Sequence, residues 1–131
     1  MSKYVKLQTE IFSIFGNDSW IAASIPTYPS NYIAVDKPNK YIRVSVISNG
    51  SGLNFNSTSG VLIIDIFTPA GNGPNESMLI ADALDMFLAG KTIGTTQLFV
   101  SSLGSTQKDS ANPALSMTIY TIPFKHFGVL S

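Results

Sequence analysis

Residues 60–90, GVLIIDIFTPAGNGPNESMLIADALDMFLAG, constrain the fold most, because every joint in this stretch carries a start or a stop signal. Residues 61–67 are a run of β-branched and aromatic side chains, which predicts a well-buried strand. Thr68-Pro69-Ala70-Gly71-Asn72-Gly73 breaks the run, since proline lacks the ladder donor and glycine opens positive φ. Pro74 suits the first position of a helix, and Glu76 falls in the first turn, where the helix dipole favours an acid. Leu79, Ala83, Met86 and Phe87 then recur at helical spacing, with Ile80 and Leu84 widening the apolar stripe. Glu76, Asp82 and Asp85 sit off that stripe, and Gly90 closes the helix.

The rest of the chain is organised around this unit. Residues 2–15 predict a first helix, with Val5, Leu7, Ile11, Phe12, Ile14 and Phe15 on its apolar side and Gly16-Asn17-Asp18 ending it. Residues 20–25 read as a short strand. Residues 27–39 hold three prolines and read as extended chain laid along the domain. Tyr41–Ser48 alternates: Ile42, Val44 and Val46 point one way, Arg43 and Ser45 the other. A polar loop over 49–59, with Leu53, Asn54 and Phe55 in it, leads to Gly60 and the central strand. After the second helix come a strand over 96–102, a polar loop over 104–113 containing Lys108 and Asp109, a strand over 115–122, and a tail.

This order predicts one α/β domain of the α+β kind over residues 1–131. It has a mixed, mainly antiparallel sheet of four or five strands, with two amphipathic helices packed on one face. Leu62, Ile64 and Ile66 face one side of the central strand; Val61, Ile63 and Phe67 face the other, with Asp65 among them. Two helices cannot cover both faces. The second face is therefore exposed, wrapped by residues 27–39, or buried against another subunit.

Composition narrows the function. The chain has 131 residues, no cysteine, a formal net charge of zero and only 12% charged residues. That excludes disulfides and thiolate metal sites and argues against a nucleic-acid binder, which shows a basic excess. An apolar fraction of 44% with so few charges points to surface covered by other subunits. No stretch approaches the roughly 20 apolar residues of a membrane span, and the N-terminus has no signal-peptide pattern. Residues 60–90 carry Asp65, Glu76, Asp82 and Asp85 and no base, while all eight bases lie elsewhere. Either the subunit has acidic and basic faces, or the acids form a solvated helix face.

Catalytic patterns are absent. Gly71-Asn72-Gly73-Pro74 precedes a helix N-terminus, but Asn75-Glu76 replaces the Lys and Ser/Thr of a phosphate loop. His126, the sole histidine, reads as a surface or packed aromatic residue between Phe124 and Phe127. Asp82 and Asp85 lack a third oxygen cluster for a hard cation. Asp65 is either a perturbed acid or the partner of Arg43 or a Lys across the hairpin. We therefore expect no enzyme, no cofactor and no metal.

Residues 41–88 resemble the tail terminators of tailed bacteriophages and a related family of uncharacterised phage proteins. The likeness rests on Tyr41-Ile42-Arg43-Val44, the polar loop, Gly60 with its apolar strand, Pro69, Gly71, Gly73, Ile80-Ala81-Asp82 and Phe87. Element order and chain length match as well; the parts before Tyr41 and after Ile122 match in outline. The resemblance implies a subunit made in the host cytoplasm that forms a hexameric ring on the head-proximal end of the tail tube. Such a ring stops tube polymerisation and presents the surface that a head completion protein joins. DNA passes through its lumen without sequence recognition. Expected interface residues are Val61, Ile63, Asp65, Phe67, Arg43, Glu76, Asp82 and Asp85, with Lys37, Lys40, Arg43 or Lys108 as basic partners across the ring. Leu53, Asn54, Phe55, Lys108 and Asp109 are expected in loops that order on contact. Other virion rings, a head completion protein or a tube subunit, fit the same pattern, and so does a small anion-binding domain or enzyme using the turn near Gly73.

Overall fold

The computed structural model describes residues 3–29, 40–49, 57–71, 75–104, 106–108 and 115–127. In chain order these form helices α1 (Lys3–Phe15) and α2 (Asp18–Ala22), then strands β1 (Thr27–Pro29), β2 (Tyr41–Ser48) and β3 (Thr58–Pro69). Helix α3 (Asn75–Leu88) follows, then strands β4 (Thr92–Ile93), β5 (Thr96–Leu98), β6 (Ser102–Leu103), β7 (Gln107–Lys108) and β8 (Leu115–His126). The strands make one sheet in the order β1-β2-β3-β8-β5-β4, and β6 and β7 also pair with β8. β1 runs parallel to β2, and the other pairs are antiparallel.

The mixed, mainly antiparallel α+β architecture is as expected, but its parts are more numerous. Among the described residues the sheet has eight strands, not four or five, and there are three helices, not two. The strand expected over 96–102 and the loop expected over 104–113 become β5, β6 and β7, which dock one after another along the same edge of β8. Strands of two or three residues are too short for alternation to reveal.

β8 also continues four residues beyond its expected end, through Pro123 to His126. A proline inside a central strand removes a ladder donor. Here the Pro123 carbonyl accepts from the Phe99 amide at 3.0 Å, so the missing N–H would point at the same edge. That edge is the gap between β5 and β6, where no ladder partner is needed.

Residues 20–25, expected as a strand, begin instead in α2. The Asn17 side chain accepts a hydrogen bond from the Ser19 amide at 2.9 Å and caps this helix, so the residue that ends α1 also starts α2. Trp20 is buried by it, edge-on to Phe15 at 5.2 Å and to Phe87 at 5.3 Å, with its indole N–H donating to Thr27 Oγ1 at 2.9 Å.

Register sorts the sheet into two faces. The even-numbered residues Ile42, Val44, Leu62, Ile64, Ile66, Tyr120, Ile122 and Phe124 form one buried core with Leu7 and Ile11 of α1 and Ile80, Leu84 and Leu88 of α3. Both long helices thus lie on one face, as expected. The buried side of α3 differs from the expected stripe: it is Ser77, Ile80, Ala81, Leu84 and Leu88. Leu79 is 60% and Met86 76% exposed, so the helix is rotated about its axis relative to the reading from spacing. With apolar residues on nearly every side of α3, periodicity cannot choose among them; contact with β3 does. α3 stops before Gly90, whose φ is +70°.

Candidate assembly surfaces and a buried polar cluster

The odd-numbered residues of β2, β3 and β8 form the second face, on which no helix packs among the described residues. The register sets them in rows: Tyr41–Phe67–Met117, Arg43–Asp65–Ile119, Ser45–Ile63–Thr121 and Ile47–Val61–Pro123. The first two rows are closed from within the subunit. Tyr41 stacks on Phe67 at 4.5 Å and 17°, and the Arg43 guanidinium lies 5.1 Å from the same ring. Phe67 is consequently 1% exposed, covered by its neighbours within the subunit. Arg43 also donates to Asp65 Oδ2 from Nη2 at 2.8 Å and Nε at 3.2 Å. Of the two readings of Asp65, the structure shows the ion pair across the hairpin. Val61 and Ile63 are half-buried, and Ile47 beside them is 48% exposed. The open part of this face is therefore its Ile47–Val61–Ile63 end.

The acids expected on one helix face part company. Glu76 pairs with Lys40 at 3.5 Å within the chain. Asp85 Oδ1 accepts from the Tyr120 hydroxyl at 2.6 Å and the Ser101 hydroxyl at 2.5 Å. Burial and the Asp85 carboxylate push the Tyr120 pKa well above the usual phenol range. Asp82 is exposed. Lys40 and Arg43, expected to reach a neighbouring subunit's acids, are thus engaged at home. Leu53, Asn54, Phe55, Asp109, Lys37 and the turn at Asn72-Gly73-Pro74 lie outside the described residues. So does most of 27–39, expected to wrap the sheet, although its first residues pair with β2. Lys108 has its backbone on β8 opposite Ser116.

A polar cluster that spacing did not reveal joins α1 to the far end of the sheet. Glu10 accepts from the Thr95 amide at 2.8 Å, the Thr95 hydroxyl at 3.0 Å and the Thr96 hydroxyl at 2.9 Å. The β4–β5 turn reaches Glu10 only because Gly94 has φ +58°, where a Cβ would stand 1.9 Å from the carboxylate. Thr96 Oγ1 also lies 2.8 Å from His126 Nδ1. A threonine hydroxyl has one proton. Since the Thr96 proton goes to the carboxylate, the hydroxyl oxygen accepts from His126, which assigns the proton of neutral His126 to Nδ1. Nε2 is buried and has no partner among the described residues. Burial lowers the His126 pKa below its ordinary value, Lys6 adds to the shift, and Glu10 opposes it. His126 is thus a packed residue, 1% exposed, and it is hydrogen-bonded rather than merely aromatic. Its partners lie 30 and more positions away in sequence, beyond any local signal.

The cluster lacks an accessible nucleophile, and no group of three or more His, Cys, Asp or Glu that could hold a metal occurs among the described residues. A groove of about 240 Å³ between α1 and β2, lined by Tyr4, Leu7, Phe12, Val44 and Val46 among others, carries no charged side chain among the described residues. No described helix is long and apolar enough to cross a membrane. The features that stand out are surfaces: the open sheet face and the outer side of α3.

The topology has solved counterparts. A chain of the virion of a native gene transfer agent particle superposes with a TM-score of 0.65 at 12% identity, over 93% of this chain and 95% of that one. The fold is shared with a virion chain. A second solved chain, which bears only a sequence identifier for a name, gives a TM-score of 0.68 at 14% identity, over 95% and 96% of the two lengths. No protein-family model and no curated protein matches the sequence.

Proposed function

We propose that this chain is a virion structural subunit, a tail terminator that assembles into a ring on the head-proximal end of the tail tube. There it stops tube growth and presents the surface that a head completion protein joins, with DNA passing through the lumen unread. The observation that carries this reading is the near full-length likeness to a virion chain, in a subunit on whose apolar sheet face no helix packs among the described residues. Ring formation through Val61 and Ile63 would bury that face.

The test is capping. Purified wild-type chain, added to polymerising tail-tube protein, is expected to give tubes of fixed length with a ring at one end in negative-stain images. Ile63→Asp, which places a charge on the open face, is expected to abolish both the ring and the capping. Tubes that grow without limit in the presence of wild-type chain would overturn the terminator reading. A tube-subunit reading draws on the long β2–β3 hairpin, whose pairing extends to the Asn49 amide and the Ser59 carbonyl at 2.8 Å. It predicts that the chain alone polymerises into tubes.

A further inference from the structure

Besides the sheet face, the subunit has a second uncovered apolar surface, on the outer side of α3. Met78 and Met86 are 46% and 76% exposed and stand about two turns apart on α3, with Asp82 about one turn from each. Leu79 flanks this stripe. Val100, 82% exposed, lies beyond Asp85, to which its neighbour Ser101 is hydrogen-bonded. The centre of the patch is a carboxylate. Two copies of α3 packed face to face about a two-fold axis would set Asp82 against Asp82, and like charges brought together in an apolar contact repel. The patch therefore calls for a different, basic surface.

Among the six bases whose side chains are described, few remain to supply it. Lys40 and Arg43 are paired within the chain, and Lys3 lies over the Tyr4 ring. Lys6 stands beside the His126 cluster. Lys91 lies three residues past the end of α3, the helix that carries Asp82. Lys125 is different. It is exposed on the odd-numbered face of β8, next to the Ile47–Val61–Pro123 row that is the open end of the sheet. An acid within an apolar stripe on one side of the subunit thus has its complement in a base beside an apolar row on the opposite side.

We propose that the occupant of the α3 patch is a second copy of this chain, docked head to tail: Met78, Leu79 and Met86 of one copy lie on Ile47 and Val61 of the next, and Asp82 pairs with Lys125. This rests on the ring reading and deepens it, since a contact between two different patches repeats around a ring, whereas a self-complementary one stops at a dimer. Asp82 and Lys125 lie on opposite sides of the sheet, so they cannot meet within one subunit.

A carbodiimide, which joins a carboxylate directly to an amine, tests the pairing on the unmodified chain. Equal amounts of ¹⁴N- and ¹⁵N-labelled chain are mixed at about 1 mM, treated and digested, and the joined peptides are read by mass spectrometry. The expected product is an Asp82–Lys125 amide with mixed isotopes. In parallel, Asp82→Lys is expected to weaken self-association at least about tenfold, and Lys125→Glu in the same chain to restore it. Both positions are exposed, so an unchanged unfolding midpoint separates lost docking from lost folding. The head-to-tail contact is overturned if the mixed-isotope amides join other sites and omit Asp82–Lys125. It is also overturned if Asp82→Lys assembles at wild-type concentration. If Ile63→Asp still abolishes capping in either case, the ring reading stands and only this docking falls. Absence of every inter-chain amide, together with unchecked tube growth, removes both.

Discussion

Tyr120 gives its hydroxyl proton to Asp85 across 2.6 Å, so the middle of β8 is fastened to the water-facing side of α3. The two ends of this bond are unlike. Tyr120 is 1% exposed, while Asp85 is open to solvent. Losing the carboxylate strands a buried hydroxyl; losing the hydroxyl leaves a carboxylate that water can serve. Asp85→Ala should therefore cost about 1–3 kcal/mol, Tyr120→Phe only about 1 kcal/mol, and the double variant little more than Tyr120→Phe. Urea unfolding midpoints give all three values. Equal costs for the two single changes would show that the bond is not held in solution.

Burial of His126 should make the fold less stable in mild acid. Burial lowers its folded-state pKa below the unfolded value of about 6.5. The folded chain then binds fewer protons than the unfolded one as pH falls past that value. Its contribution is complete above pH ~6.5 and is lost as pH falls toward the folded pKa. His126→Asn keeps a donor for Thr96 and removes the titration, so the slope of unfolding free energy between pH 7 and 5 should flatten. A wild-type chain that gains stability over this range through His126 would mean that attraction to Glu10 outweighs burial.

Gly60 is held by the backbone of its partner strand. A Cβ at this position would lie 1.9 Å from the Ile47 carbonyl oxygen, and neither group sits on a flexible side chain. Gly60→Ala must push β2 from β3 at the mouth of the hairpin. The overpacking should cost about 1–3 kcal/mol, more than the chain-entropy gain of about 0.4–1 kcal/mol that Gly→Ala gives where it fits. Thermal unfolding measures the loss. Amide exchange at Ile47, Ser48 and Val61 should quicken more than at Ile42 and Ile66.

Two ion pairs among the described residues, Lys40–Glu76 and Arg43–Asp65, differ in kind. Lys40–Glu76 is a single contact at 3.5 Å between half-exposed side chains, and Glu76→Gln should change stability by less than about 1 kcal/mol. Arg43 contacts Asp65 through two nitrogens and stacks on Phe67. Arg43→Lys loses the fork and the stacking together and should cost more than Glu76→Gln does. Raising salt should erase the smaller effect first. Equal costs at every ionic strength would place Arg43 among ordinary surface bases.

Strands β2 and β3, helices α1 and α3, and the packing of both long helices on one sheet face were legible in the residue order. Their signals are local: alternation in Tyr41–Ser48, the β-branched run after Gly60, and stop residues at Gly16 and Gly90. The rest was settled by contacts between residues far apart in the chain. Which side of α3 is buried was decided by β3, because Leu79 and Leu84 are equally apolar and only one can face the sheet. What Glu76 and Asp85 meet within the chain was decided by the fold, which brings Lys40 to the first and Ser101 and Tyr120 to the second. The Glu10–Thr95–Thr96–His126 cluster spans both ends of the chain, and no spacing rule acts over such a separation. The strand read over residues 96–102 was legible only as one piece; its division into β5 and β6, and the added β4 and β7, were not, because two or three residues hold too little alternation and β8 supplies the edge on which β5, β6 and β7 pair.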